Sequence, residues 1–114
     1  MANLHIVRLE GDSETDPISL QLWLDKAGQP LARGTTFGVV GGLAPGSEPI
    51  IPFVLFKDGT IDCGSGYEET DGRYGKANFY EQNRIMERGA LFTIDWQEDG
   101  AHTYRVLSVT SLSS

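Results

Sequence analysis

The sequence predicts a mainly β protein, a single small antiparallel β-barrel or sandwich of about six to eight short strands with at most one short helix near residues 80–88. Three observations support this fold class. Short runs of alternating or continuous apolar residues recur along the chain, Asp-Gly pairs separate some of them, and 14 glycines and five prolines are spread between them. Such punctuation is typical of compact all-β domains.

The clearest strand lies at residues 18–25, ISLQLWLD, where every second residue is apolar. This period of two places Ile18, Leu20, Leu22 and Leu24 on one face of a half-buried strand. Residues 4–9 form a weaker candidate, because apolar residues occur on both of its faces and both faces would be partly covered.

A first hairpin is predicted around Asp58-Gly59, which follows the apolar run 50–56 and precedes residues 60–63. Asp-Gly supplies the positive φ angles that a type I′ turn requires. Because Pro52 has no N–H to donate, we expect its strand to lie at an edge or to carry a bulge there.

A second hairpin is predicted at Asp99-Gly100, which separates the β-rich runs 91–96 and 103–112. The apolar residues of the second run change parity after Val106. This strand should therefore change face, or be covered on both sides.

The rest of the chain contains one ambiguous segment and no evident linker. Residues 80–88, YEQNRIMER, lack a strong apolar stripe, so a short helix and a strand are equally compatible with them. The glycine-rich piece 37–49 is apolar and too short to separate two viable domains. We therefore expect one β domain over residues 1–114.

The composition narrows the range of partners and compartments. Sixteen acidic residues against nine basic ones give a net charge of −7, which opposes binding to nucleic acid or to an anionic membrane and favours a basic partner. The N-terminus does not resemble a signal peptide and no run is long enough to cross a bilayer. With Cys63 as the sole cysteine, no internal disulfide can form, and we expect a cytoplasmic protein.

No cofactor and no catalytic arrangement is indicated by a motif. The glycines between residues 38 and 46 match neither a P-loop nor GxGxxG, and no GxSxG elbow or HExxH motif occurs. His5 and His102 would meet if the terminal strands pair, but no third ligand completes a zinc site. A weak calcium candidate consists of four acids at every second position, Glu10, Asp12, Glu14 and Asp16, although the EF-hand glycine and closing glutamate are missing.

The segment 64–83, GSGYEETDGRYGKANFYEQN, mixes aromatic rings and charges on a glycine-rich backbone. Tyrosine offers a large, fairly rigid contact area with a polar tip, so this composition suits recognition. A connection whose rings close the end of the barrel is the competing interpretation. The candidate binding residues are Tyr67, Glu68, Glu69, Asp71, Arg73, Tyr74, Tyr80 and the nearby exposed ring of Trp23.

Two functions from different classes fit these features. The first is a non-enzymatic protein-interaction module of accessory, inhibitor or immunity-like character, which binds a protein with a basic surface or a second copy of itself. The alternative is a small-ligand or saccharide-binding barrel whose mouth is lined by Tyr67, Tyr74, Tyr80 and Trp96. Weak hydrolysis would then fall to Asp62, Glu68 or Glu69.

Overall fold

A computed structural model describes residues 3–11, 17–41, 51–64, 74–81, 84–96 and 100–112 of this chain. Within these ranges the secondary structure consists of β-strands, turns and irregular segments, and no helix occurs. The strands are β1 (Asn3–Glu10), β2 (Ile18–Leu24), β3 (Pro30–Leu31), β4 (Thr36–Val40), β5 (Ile51–Leu55), β6 (Thr60–Asp62), β7 (Tyr74–Ala77), β8 (Leu91–Trp96) and β9 (Gly100–Ser111).

Eight of the described strands close into an antiparallel barrel. Around the barrel they follow the order β1-β2-β4-β5-β6-β7-β8-β9, and β9 pairs with β1 to complete the circle. The short strand β3 pairs with the end of β2, beside β4. The predicted all-β class is confirmed, and the closed sheet decides between barrel and sandwich.

The core occupies the inside of this barrel, because alternate residues of each strand point inwards. In β2, the apolar residues of the predicted face are all buried, while Ser19, Gln21 and Trp23 are half-buried on the outer wall. An eight-stranded barrel is just wide enough for side chains to fill it. Its largest fully buried side chains are Trp96, Tyr104, Phe79 and Phe92.

A β-bulge explains the change of parity in the last strand. Leu9 pairs with Val106, whereas Arg8 pairs with Ser108, so Leu107 is an extra residue in β9. Val106 faces the core before the bulge and Val109 packs against it afterwards. The predicted change of face is therefore confirmed, and it keeps both halves of β9 apolar on the inside.

The first predicted hairpin is present with a different turn. Phe56 N donates to Thr60 O and Gly59 N donates to Phe56 O, so the loop contains three residues rather than two. A three-residue loop places one residue in the left-handed region, and Gly59 has a φ of 91°. Pro52 pairs with Val39 of β4, and the described β5–β6 ladder begins beyond it at Val54, which suits a residue without an N–H.

Three strands lie where the sequence pattern predicts none, the two-residue β3 and the barrel strands β4 and β7. The described residues of the ambiguous segment 80–88 form neither a helix nor a strand. Strand β4 occupies part of the glycine-rich piece, and β7 occupies part of segment 64–83. Residues 84–90 are irregular: Met86 N donates to Gly28 O, and Gly89 N donates to Val106 O. Tertiary hydrogen bonds thus satisfy the backbone of this segment where a helix would have used local ones.

The strand directions define two ends of the barrel. Strands β1, β4, β6 and β8 all run towards one end, from which β2, β5, β7 and β9 return. The segments 12–16, 42–50, 65–73 and 97–99, which lie outside the described residues, connect strands at this end, and we call it the acidic end. At the opposite end, the covered end, the connections are residues 25–29, 56–59 and 78–90.

Candidate functional site

The charges of the chain divide unequally between these two ends. The four connections of the acidic end contain nine of the 16 acidic residues but only one of the nine basic residues, Arg73. Their formal charge is therefore −8, and the remaining residues together carry +1. The connections of the covered end, with residues 32–35, contain four acids and five bases. The four segments that carry the net negative charge thus all join strand ends on the same side of the barrel.

The described rim of the acidic end includes one predicted binding residue, Tyr74. It opens β7, points away from the core, and is 40% exposed. Its cross-strand partner is Asp62 of β6, whose carboxylate oxygen Oδ1 accepts a hydrogen bond of 2.7 Å from Gly64 N. The Asp62 carboxylate therefore stabilises the turn at the rim through this hydrogen bond.

Glu10 stands at the same end and is also engaged. Its carboxylate forms an ion pair with Arg105 of β9, the residue opposite it in the ladder. The other three acids of the calcium candidate, Asp12, Glu14 and Asp16, lie outside the described residues. Among the residues that the structure describes, no group of three or more histidine, cysteine or acidic side chains could hold a metal ion.

Beneath this rim, the core contains a hydrogen-bonded aromatic pair. Trp96 Nε1 donates to the hydroxyl oxygen of Tyr104 over 2.9 Å, and both side chains are buried. The Trp96 ring covers Gly75, its partner in the β7–β8 ladder, so closely that an added Cβ would lie 2.7 Å from Trp96 Cε3. With 2% of its surface exposed, Trp96 belongs to the core and does not line an open mouth.

Two further predicted binding residues lie at or near the covered end. Trp23, on the outer wall near the end of β2, is half-buried, and the Arg33 guanidinium lies 4.9 Å from the centre of its ring. Tyr80 follows β7 and packs against the core. The structure therefore does not bring Trp23, Tyr74 and Tyr80 together on one surface. The remaining candidates, Tyr67, Glu68, Glu69, Asp71 and Arg73, lie outside the described residues.

Tyr80 borders a shallow groove at the covered end. The groove has a volume of about 590 Å³, and Lys57, Asp58 and Lys76 contribute its charged side chains together with Glu81. Burial raises the pKa of Tyr80, and the neighbouring Thr36 hydroxyl partly offsets the rise. Both hydroxyl oxygens are buried, and neither has a hydrogen-bond partner among the described residues.

The two histidines do not meet, although their strands pair as expected. His5 lies opposite Ser111 in the β1–β9 ladder, nine residues along β9 from His102. At about 3.3 Å per residue this separates them by roughly 30 Å along the strand. The two histidines therefore do not form a pair of ligands for one metal ion.

The sequence analysis did not single out every acid at the acidic end. Glu48, Glu98 and Asp99 belong to connections of this end, yet they are far from segment 64–83 in the chain. Their grouping follows from strand order, because alternate connections of an up-and-down barrel emerge at the same end. The second hairpin signal at Asp99-Gly100 already indicated a turn for two of these residues.

The fold and this charge distribution define a class of protein: a small up-and-down β-barrel with an apolar core and a strongly acidic end. Comparison of the chain with protein-family models, with curated protein sequences and with solved structures gave no significant match. Within the described residues, no helix has the length and apolarity needed to cross a membrane.

Proposed function

We propose that this chain is a non-enzymatic protein-interaction module that binds a basic protein surface through the acidic end of its barrel. The observation that carries the proposal is the charge division, with −8 in four connections and +1 in the rest of the chain. A potential of one sign concentrated on one face steers a partner of opposite charge and orients it during encounter.

The described rim adds a contact side chain to this charge. Tyr74 presents an exposed ring beside the acidic connections, and exposed tyrosines supply contact area with little loss of side-chain entropy. Glu10 and Asp62 help to hold the rim through Arg105 and Gly64, so the strand ends that bear the connections are well supported. An accessory, inhibitor or immunity-like role in the cytoplasm fits a small acidic domain of this kind.

The alternative, a small-ligand or saccharide barrel with weak hydrolytic activity, has less support. Its predicted mouth required Tyr74, Tyr80 and Trp96 to converge, but Tyr74 and Tyr80 lie at opposite ends and Trp96 is buried. Asp62, one of its proposed acids, already accepts the hydrogen bond from Gly64.

A charge-matched pair of variants tests the proposed function. The first replaces Glu68, Glu69 and Asp71 at the acidic end by their amides, and the second does the same to Glu81, Glu87 and Asp95 elsewhere. Immobilised wild-type protein should capture a basic partner from its native lysate, with an affinity that falls as salt rises. The first variant should bind that partner about tenfold or more weakly, whereas the second should bind it like wild type.

Two outcomes would contradict the proposal. If both triple variants weaken binding equally, net charge rather than the acidic end controls recognition. If no specific protein is captured while a small metabolite copurifies with the wild-type chain, the small-ligand alternative is the better account.

A further inference from the structure

An uncharged apolar groove crosses the outer wall of the barrel over β1, β2, β4 and β5. Its volume is about 370 Å³, and its lining side chains include Ile6, Gln21, Phe37, Val39 and Pro52, with no charged residue. These residues point outwards because their chain neighbours, such as Val7, Val40 and Phe53, point into the core. The groove therefore lies on the side of the molecule and belongs to neither end.

Phe37 projects beside this groove. The side chain is 59% exposed, the largest exposed fraction among the large apolar side chains that the structure describes as exposed. Val54 lies opposite it in the β4–β5 ladder, and Val39 and Pro52 form the next outward pair along the same two strands. Most isolated exposed apolar residues need no explanation, but an exposed ring next to an apolar groove is typical of an interaction surface.

The opposite wall has a different surface. Lys76 of β7 pairs with Asp95 of β8 in the ladder, and Arg105 of β9 forms its ion pair with Glu10. Leu91, which is 55% exposed, lies opposite Arg105. The outward charges of this wall thus lie on three strands. No charged residue lines the groove of the other wall, although the exposed Arg8 of β1 lies opposite Ser19 at its border.

We propose that the groove wall is the interface of a symmetric homodimer in which Phe37 of each copy inserts into the groove of the other. A two-fold interface must be complementary to itself, and here the projecting ring and the groove are adjacent on one patch. The groove volume exceeds the 150 Å³ of an engineered apolar cavity that binds benzene, so a phenyl ring fits. At the same patch, Gln21 has both a donor and an acceptor, which lets one amide pair with its own copy.

The charge distribution favours a second copy over a different partner at this wall. A groove that no acidic residue lines offers a basic protein no charge contact, whereas two chains of charge −7 repel each other wherever their acidic connections meet. Contact through the groove wall keeps the acidic ends to the side, and charges farther apart than the Debye length of about 8 Å are largely screened at physiological salt. The dimer would present two acidic ends, and it does not depend on what they bind.

Sedimentation velocity tests the dimer directly. At about 100 μM, where a micromolar interface is saturated, the wild-type chain should sediment with twice its monomer mass of 12.5 kDa. Phe37→Asp should raise the dimer dissociation constant about tenfold or more, because it places a charge in an apolar contact. Leu91→Asp is the matched control, since it makes the same change at a similarly exposed position of the charged wall, and it should leave the dimer intact.

Crosslinking gives a second measurement that does not require loss of a contact. The sole native cysteine, Cys63, is buried, so Gln21→Cys introduces an exposed thiol at the proposed two-fold axis. A short bis-maleimide should join two Gln21→Cys chains but not two Thr103→Cys chains, whose thiols lie on the charged wall. A wild-type chain that stays monomeric at this concentration, or a dimer that Leu91→Asp disrupts and Phe37→Asp does not, would overturn the proposal.

Discussion

Among the described residues, a connection contributes buried side chains to the core at the covered end, whereas the large buried ring beneath the acidic rim belongs to a barrel strand. Phe79 and Met86 both belong to the connection 78–90, and both are buried. At the acidic end, Trp96 of β8 lies beneath the rim and bonds to Tyr104 of β9. We therefore expect the connection 78–90 of the covered end to contribute to the stability of the barrel.

The formal charges of the connections also differ between the two ends. The four connections of the acidic end contain nine acidic residues and one basic residue. The covered end has nearly balanced charges, and its Glu81–Arg84 pair lies 3.3 Å apart while Arg84 also covers the Phe92 ring. In the proposed function, the acidic end binds the partner, whereas the described packing at the covered end stabilises the barrel.

The largest expected effect is the loss of a buried ring at the covered end. Phe79→Ala removes a side chain that is fully buried and whose ring centre lies 5.5 Å from that of Phe92. We expect the free energy of unfolding to fall by about 3–5 kcal/mol in urea denaturation, because the lost transfer energy and the new cavity add.

Tyr74→Ala is the matched variant at the acidic end. It also removes one ring, but from an exposed position, and should change the free energy of unfolding by about 0.5 kcal/mol or less. If the two variants lose similar amounts of unfolding free energy, then Phe79 at the covered end contributes no more to stability than Tyr74 at the acidic end, which would contradict this contrast.

A smaller difference in the free energy of unfolding is expected between alanine substitutions at two glycines that share a backbone conformation. Gly59 at the covered end and Gly64 at the acidic end have φ angles of 91° and 78°. An added Cβ at Gly59 would lie close to the Ala77 carbonyl oxygen, whereas no atom of the described residues lies within 4 Å of one at Gly64. Gly59→Ala should lower the free energy of unfolding by about 3 kcal/mol, through strain and clash together, and Gly64→Ala by about 1 kcal/mol, through strain alone.

The same denaturation series checks this pair. If Gly64→Ala is as destabilising as Gly59→Ala, then conformational strain alone accounts for both positions. The short distance from a Cβ at residue 59 to the Ala77 carbonyl oxygen would then have no measurable effect on the free energy of unfolding.

The sequence analysis found the strands whose inward residues are large. Besides the two-residue β3, it did not predict β4 and β7, because each of these barrel strands has a glycine at an inward position, Gly38 and Gly75. In the barrel, Phe53 lies opposite Gly38 and Trp96 lies opposite Gly75, and these rings occupy the space of the absent side chains. Single-strand alternation cannot reveal such a pair, because the apolar volume that fills the position comes from the neighbouring strand.

The unpredicted strand β7 also explains why the described candidate residues Tyr74 and Tyr80 lie at different ends of the barrel. Segment 64–83 was treated as one connection, but β7 divides it, so that Tyr67 belongs to a connection of the acidic end and Tyr80 to one of the covered end. In an up-and-down barrel, each strand that is missed exchanges the ends assigned to all later connections. Composition alone predicted that the chain has an acidic surface for a basic partner. The location of that surface on the barrel could be proposed only from the complete strand order.

The smallest expected effect concerns the acid that caps the turn of the covered end. Asp58 Oδ1 accepts a hydrogen bond of 2.9 Å from Thr60 N, and Lys76 Nζ lies 3.5 Å from its other oxygen. These contacts, the Thr60 backbone hydrogen bond first, hold the pKa of Asp58 below its ordinary value of 3.8. Because the folded-state pKa is the lower one, Asp58 stabilises the fold above pH 3.8, and this contribution disappears as pH falls through the folded-state pKa.

Asp58→Asn should therefore lower the melting temperature slightly at neutral pH, and the difference from wild type should shrink as pH falls below about 3.8. Asp95→Asn is the control, because it removes the same charge from an exposed wall position without a turn to cap. The effect remains small, since the Asp58 carboxylate is exposed and water competes for its charge. A difference that grows towards acid pH would mean that the Asp58 carboxylate destabilises the turn, and the covered end would then contain repulsion like that assigned to the acidic end.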